Sequence, residues 1–298
     1  MSSRVFAARL KGLCWLALTA AGWGVNWPVL KFALTEWPVF SLRVLSSALS
    51  VALLLALALA RGERIRPRGR GQWGLLALAG VLNITPFVGL GTLALLWLTA
   101  SEATILAYTM PIWAAMLAWP LLGERPTAPR LSGLAAGLIG VAILLAPQFV
   151  ASAAAGGNRL PGYALILGNA LMFAVGTVLT KRVPLPLPPL ASVAWQIMFG
   201  TAPMLVGVLF HDRWEGVHIT IGGWLVLLYV GAIAMGVCYF AWFRALHLLP
   251  ATTAVTGALM VPVVGVLSAG WLLGEPVGWR QFLSLGLTMS GVVLASRG

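Results

Sequence analysis

The chain has 298 residues, of which 60% are hydrophobic and only 9% are charged. A soluble protein carries roughly a quarter charged residues to cover its surface, so this composition excludes an ordinary soluble domain. The formal net charge of +12 would suggest nucleic-acid binding in a soluble protein, but the basic residues lie in short connections between apolar runs. The composition therefore predicts a membrane protein whose partner is lipid and not nucleic acid.

Apolar runs long enough to cross a bilayer follow one another along the whole chain. Crossing takes about 20 residues of helix, and charges, prolines and glycines separate the runs into ten predicted spans. The spans are 11–33, 38–60, 72–97, 101–121, 130–147, 161–180, 189–210, 221–246, 251–272 and 279–296. The first run resembles a signal peptide, but it continues to Ala33, and we expect it to remain as span 1.

The distribution of Lys and Arg predicts the orientation. With a cytoplasmic N-terminus, 14 of the 19 basic residues face the cytoplasm and 4 face outward, while Arg43 lies inside span 2. The positive-inside rule therefore predicts that both termini lie in the cytoplasm, and we expect a bacterial inner-membrane protein. We expect anionic lipids on that side of the bilayer.

The second half of the chain repeats the first at a constant shift of 151 residues. The matches are Pro38 with Pro189, Trp73 with Trp224, Gly80 with Gly231, Pro111 with Pro262, 121–124 with 272–275, and 140–141 with 291–292. Each copy holds five spans, an odd number, so the second copy enters the membrane from the opposite side. We predict an all-α membrane protein with ten transmembrane helices in two inverted five-helix repeats, 1–150 and 151–298.

Inverted repeats favour a transporter over other membrane proteins. They supply two conformations of similar energy that open to opposite sides, as alternating access requires. The three histidines lack metal-ligand spacing, and neither a P-loop nor Gly-x-Ser-x-Gly occurs. We therefore expect no enzyme activity, no metal and no cofactor, with a channel as the alternative.

Several of these residues also form a set of family motifs. Residues 23–31 read Trp-Gly-Val-Asn-Trp-Pro-Val-Leu-Lys, and Arg43, Pro111, 122–125 and 140–141 follow. This set resembles EamA-type proteins of the drug/metabolite transporter superfamily over essentially the whole chain. The resemblance implies ten helices, cytoplasmic termini and a central cavity lined mainly by spans 1, 3, 4, 6, 8 and 9.

Within that superfamily, the chain is most similar to a bacterial exporter associated with aromatic amino acids. Such exporters carry Tyr-x-Trp-Pro in span 4, whereas 108–111 here read Tyr-Thr-Met-Pro. The methionine replaces an aromatic wall by a flexible thioether that tolerates varied partners. The resemblance thus implies a small-molecule substrate, namely neutral amino acids such as threonine and methionine, with aromatic ones included. Export of drugs or other small metabolites is the alternative.

Polar and aromatic residues in mid-span are the candidate cavity residues. Pro111 and Pro262 free backbone carbonyls, so we expect paired helix breaks at a cavity, with ordinary packing kinks as the alternative. The polar candidates either bind substrate or join neighbouring helices, and Asn169 and Gln196 are weaker candidates. The predicted cavity residues are Asn26, Trp27, Asn83, Tyr108, Met110, Phe173, Trp195 and Tyr239.

Charged residues set the remaining expectations. A charged residue such as Arg43 is costly inside a span. Because Arg43 lies about a turn and a half from Pro38, we expect its side chain to snorkel outward. Glu124 and Glu275 follow glycines at matched helix ends, where we expect them to hold loop backbone or a basic partner. All 7 acidic residues lie at or near span ends, which favours facilitated diffusion or exchange over proton coupling. The sequence leaves the oligomeric state open, and we expect a monomer.

Overall fold

The computed structural model describes residues 3–122, 127–151, 158–183, 185–249 and 257–297, and all regular structure in these ranges is helical. The prediction of an all-α protein is confirmed for these residues. The helices are α1 (Ser3–Ala33), α2 (Val39–Ala60), α3 (Arg70–Ala94), α4 (Ala100–Ala107), α5 (Met110–Leu122), α6 (Ala128–Ala151), α7 (Leu160–Arg182), α8 (Pro189–Phe210), α9 (Ile221–Leu248), α10 (Met260–Leu273) and α11 (Trp279–Arg297).

Six helices of the described ranges, α1, α2, α3, α7, α8 and α9, are long and apolar enough to cross a membrane. Shorter apolar stretches occupy Leu131–Leu144 of α6 and all of α10. Predicted span 4 is divided between α4 and α5, and the start of span 9, at 251–256, lies outside the described residues. A helical membrane protein is thus supported, while the count of ten spans stays a prediction.

Three of the long helices are irregular along their length. A π-helical turn occupies Thr85–Leu90 of α3, and a longer one occupies Tyr229–Val237 of α9. Helix α8 consists of Pro189–Thr201 and Met204–Phe210, with Pro203 at the break. Proline lacks the N–H donor and clashes with the preceding turn, which accounts for the break in α8 and for the π turn that contains Pro86. Such π turns frequently lie at functional sites.

The helices of the first half pack mainly against helices of the second half. Helix α1 lies along α9 and α10, and its counterpart α7 lies along α3, α4 and α5. Helix α2 packs on α8 and α9, and α8 in turn packs on α3. Helices α6 and α11 pack along each other. At the 151-residue shift, the contact of α1 with α9 corresponds to that of α7 with α3. The contacts of α2 with α8 and of α6 with α11 each correspond to themselves.

Glycines bring α6 and α11 together backbone to backbone. A Cβ placed on Gly291 would lie 2.6 Å from the Gly133 carbonyl oxygen and 2.8 Å from the Gly137 nitrogen. A Cβ on Gly140, the counterpart of Gly291, would lie 3.0 Å from the Ser284 carbonyl oxygen. Small residues allow this approach of two helices in lipid, where van der Waals packing drives their association.

Gly291→Ala tests this interface. We expect it to destabilise the protein by about 1–3 kcal/mol, because the added methyl group meets backbone atoms that have no rotamer by which to move away. Gly286→Ala is the matched control, since a Cβ on this glycine of the same helix would meet nothing within 4 Å. Thermal unfolding of the purified variants in detergent measures the difference, and equal unfolding temperatures would contradict the packing described.

Candidate functional site

Polar contacts close one end of the helical bundle. Lys31, near the end of α1, donates hydrogen bonds to the carbonyl of Leu95 and, at 2.9 Å, to that of Leu98, just beyond the end of α3. Carbonyls in the last turn of a helix have no partner within the helix, so this ammonium joins the ends of two helices. We call this end of the bundle, where α1 and α3 end and α4 and α7 begin, the Lys31 end.

The N-terminus of α4 is capped from two directions at the Lys31 end. Thr99 and Glu102 form a capping box within the chain segment itself. Glu275, between α10 and α11, accepts hydrogen bonds from the backbone N–H groups of Ala100 at 2.6 Å and Ser101 at 3.0 Å. Carboxylates are favourable at this position because the first N–H groups of a helix are unpaired. The expected backbone role is confirmed for Glu275, whereas Glu124 lies outside the described residues.

Glu102 also joins α4 to α7. Its carboxylate accepts a hydrogen bond from the Tyr163 hydroxyl at 3.0 Å and forms an ion pair with Arg159 at 3.4 Å. The side chain of Glu102 is buried, while that of Arg159 is partly exposed. Contacts of side chains from four separate chain segments thus join the helices at the Lys31 end.

Predicted span 4 breaks at Tyr108 and Thr109, between α4 and α5. The Thr109 hydroxyl donates to the Leu106 carbonyl at 2.6 Å and accepts from the Trp113 indole at 3.0 Å. Pro111 is the second residue of α5, a position where the missing N–H removes no intrahelical bond. Pro262 is the third residue of α10, after a turn at Leu259. Both prolines therefore lie at the beginning of a helix rather than inside a continuous one.

The structure brings Trp27 and Phe173 together through Phe87, a residue that the sequence did not single out. Ring centroids are 6.0 Å apart for Trp27 and Phe87 and 5.8 Å apart for Phe87 and Phe173. Gly91 lies between Trp27 and Asn169. Asn169 is completely buried, and neither of its amide atoms has a hydrogen-bond partner in the described part of the chain. An unpaired buried amide is costly, which makes Asn169 a stronger binding candidate than its sequence position indicates.

A second group of candidates lies where α1, α9 and the span 4 break meet. The ring of Tyr239 packs edge-on against Trp23 at 5.3 Å, and the Trp23 indole donates to the Ala234 carbonyl in the π turn of α9. Tyr108 is buried at the span 4 break. Within the described ranges, neither tyrosine hydroxyl forms a hydrogen bond.

Asn26 and Met110 complete the central candidates. The Oδ1 atom of Asn26 is buried and has no hydrogen-bond partner among the described residues. Met110, the first residue of α5, is partly buried and packs against the main hydrophobic core. Both residues thus keep atoms that could contact a ligand.

Asn83 and Trp195 lie apart from these groups. The Asn83 amide donates to Gln196 at 3.4 Å across the contact of α3 with α8. The Trp195 indole donates to the Ile65 carbonyl at 2.7 Å in the α2–α3 loop, and its ring contacts Trp73 at 4.6 Å. Asn83 thus joins two helices, whereas Trp195 joins a helix to a loop. Among the described ring contacts, Trp195 has none with Trp27 or Tyr239.

The outward orientation expected for Arg43 is wrong. Arg43 is only 3% exposed, and its Nη2 atom lies 3.7 Å from the Met235 sulphur in the π turn of α9. Helix α2 packs directly on this π turn, where Gly231 allows the backbone of Ser46 to approach. This contact with a distant part of the chain buries the guanidinium, and span position alone could not show it.

A cavity of about 360 Å³ lies at the loop between α1 and α2, lined by residues 34–38, 213 and 216–218. None of the predicted cavity residues lines it. In the part of the chain that the structure describes, no group of three or more His, Cys, Asp or Glu side chains could hold a metal ion.

Comparison with known proteins identifies the family. The model of the EamA-like transporter family matches residues 10–146 and again residues 160–297. The chain belongs to the EamA-like transporter family. It is therefore a multi-pass membrane transporter with a small-molecule substrate, and its family is not one of enzymes.

Relatives agree with this membership. The protein named "Uncharacterized transporter YvbV" of Bacillus subtilis is 26% identical over 94% of this chain and 90% of its own length. "Uncharacterized inner membrane transporter YedA" of Escherichia coli K12 is 25% identical over 93% of this chain and 87% of its own. One crystal structure shares the fold with a TM-score of 0.66 at 21% identity, covering 98% of this chain and 96% of its own.

Glu275→Ala tests the closure of the Lys31 end. We expect the unfolding free energy to fall by about 1–3 kcal/mol, because partly buried hydrogen bonds of a carboxylate with the α4 N-terminus are lost. Glu215→Ala is the control, since it removes an exposed acid before α9. Thermal unfolding in detergent compares the two, and an unchanged stability of Glu275→Ala would show that the cap contributes nothing.

Proposed function

We propose that this EamA-family transporter exports amino acids across the bacterial inner membrane by alternating access. Its substrates are neutral amino acids such as threonine and methionine, together with aromatic ones. Ten spans form two inverted repeats, 1–150 and 151–298, with both termini in the cytoplasm, and the chain acts as a monomer. The likeness to an aromatic amino-acid exporter supports the substrate class.

The observation that carries this proposal is a set of buried polar atoms on α1 and α7 that lack hydrogen-bond partners among the described residues. The Oδ1 atom of Asn26 and both amide atoms of Asn169 have no partner in the described ranges. Polar groups at membrane depth face the bundle interior, and groups with unused donors and acceptors fit a small polar ligand. Aromatic rings and Met110 beside them fit varied side chains.

The packing supports alternating access. Interfaces between the halves have counterparts at the 151-residue shift, and the family model matches each half separately. Exchange of conformation between two such halves produces states of similar energy that open to opposite sides. In the proposed orientation the Lys31 end faces outward, and its side-chain contacts must open to release substrate.

The acidic residues support transport without proton coupling. Glu36 accepts hydrogen bonds from Thr220, Asp212 accepts from Ser41, and Glu63 pairs with Arg61, all at or near helix ends. Glu102 and Glu275 are engaged at the Lys31 end. No described carboxylate lies near mid-span, where proton- or sodium-coupled carriers usually place one. We therefore infer that transport is facilitated diffusion or exchange down the amino-acid gradient.

A second candidate function is export of drugs or other small metabolites. The contacts among Trp27, Phe87 and Phe173 favour it, because they offer an apolar aromatic surface that an uncharged ligand could occupy. The substrate screen described next separates the two functions.

Counterflow in proteoliposomes tests transport and substrate together. We expect saturable exchange of neutral amino acids, because an alternating carrier binds one substrate at a time. A pH gradient imposed at equal substrate on both sides should drive no accumulation. Conductance far above carrier rates would indicate a channel, and accumulation driven by the pH gradient would indicate proton coupling.

Tyr108→Ala and Asn26→Ala test the proposed site. We expect both variants to lose uptake while membrane expression stays normal, because each removes hydrogen-bonding groups at the centre of the bundle. Asn158→Ala is the control, since Asn158 is exposed before α7. Uptake at wild-type rates in both central variants would refute this site.

A further inference from the structure

Arg43 carries a charge into the bundle interior without a carboxylate to balance it. Its Nε and Nη1 atoms are buried and have no hydrogen-bond partner in the described part of the chain. Its Nη2 atom reaches only the Met235 sulphur, a weak acceptor, at 3.7 Å. A guanidinium stays protonated in proteins, so most of its five donors are left unused.

A buried guanidinium with unused donors is unfavourable unless another group accepts its hydrogen bonds and balances its charge. An uncompensated buried charge destabilises a protein strongly, and charged side chains at membrane depth normally pair or mark a substrate path. The described acidic residues with buried carboxyl groups, Glu102 and Asp212, are already bonded to other groups.

Helix packing does not require this guanidinium. At the 151-residue shift Arg43 corresponds to Ala194, a completely buried residue of α8. Helix α8 packs on α3 as α2 packs on α9, so the equivalent pair of helices packs with an alanine at this position. The charge is therefore a feature of one half alone, which points to a ligand rather than to the scaffold.

Tyr239 can supply a further donor. It lies about one turn beyond Met235 on α9, and residues four apart in a helix share a face. A guanidinium binds a carboxylate through two parallel hydrogen bonds, and phenol hydroxyls can donate to the same oxygens.

We propose that Arg43 binds the carboxylate of the transported substrate, with the Tyr239 hydroxyl as an additional donor. The proposal deepens the proposed function and rests on it for the identity of the substrate, because every amino acid carries this group. A small organic acid without an ammonium group would satisfy Arg43 equally. The inference therefore concerns the anionic group that the site recognises.

Arg43→Met removes the charge and keeps an unbranched apolar side chain. Because replacing an unpaired buried charge by an apolar group is neutral or stabilising, we expect its unfolding temperature without ligand to equal or exceed that of the wild type. Arg43→Lys keeps a charge but loses the two-pronged geometry. Ser47→Ala is the matched control, about one turn along α2, since it removes a buried hydroxyl without a partner among the described residues.

The measurement is the unfolding temperature of each purified full-length variant against ligand concentration. The probes are the proteinogenic amino acids, the carboxamides of those that stabilise, 2-oxo acids without an ammonium group, and inorganic phosphate. We expect carboxylates to stabilise the wild type and Ser47→Ala, and carboxamides to stabilise neither. In Arg43→Met we expect the apparent affinity for the carboxylate to fall at least about thirtyfold.

Three results would overturn the proposal: equal stabilisation by an amino acid and its carboxamide, unchanged affinity in Arg43→Met, or no stabilisation of the wild type by any carboxylate. A response to phosphate alone, or a large loss of stability in Arg43→Met without ligand, would also overturn it. Stabilisation by 2-oxo acids but by no amino acid would support the Arg43 site and reject amino-acid export.

Discussion

The hydrocarbon of a bilayer offers no water to a backbone group whose helical hydrogen bond is broken, and side chains meet that constraint at the π turn of α9 and at the span 4 break. In the π turn of α9, the Trp23 indole donates to the Ala234 carbonyl and the Ser50 hydroxyl to the Gly231 carbonyl. At the span 4 break, Thr109 donates to the Leu106 carbonyl. Helices α1 and α2 thus stabilise loosened turns that isolated helices could not keep.

The Lys31 end follows a different rule, because it lies where helices end and water is within reach. The partners of Glu275 and Lys31 there are helix-terminal N–H and carbonyl groups. When this end opens, water can replace those protein contacts at small net cost, since the free-energy difference between a protein and a water hydrogen bond is modest. Helix termini are therefore suitable groups for a gate that must close and open repeatedly, whereas mid-span groups are not.

Features set by local sequence were predictable, and features set by distant contacts were not. The long apolar runs predicted α1, α2 and α3 because length and hydropathy are local properties, and the role of Glu275 followed from its place after a helix. The burial of Arg43 depends on Met235, which is 192 residues away in the chain. Trp195 is a mid-span aromatic by sequence, yet its indole bonds to the Ile65 carbonyl in a loop.

The scaffold is matched between the halves, whereas its charges are not. A Cβ on Gly80 would lie 2.6 Å from the Gln196 carbonyl oxygen, and one on Gly231 would lie 2.8 Å from that of Ser46, so each of these paired glycines allows close approach to a carbonyl of the facing helix. Arg43, in contrast, corresponds to an alanine. A matched scaffold makes two conformations similar in energy. A single charged residue can bind substrate in both conformations only if it lies between the halves. Arg43 meets this condition, because it extends from α2 of one half to α9 of the other.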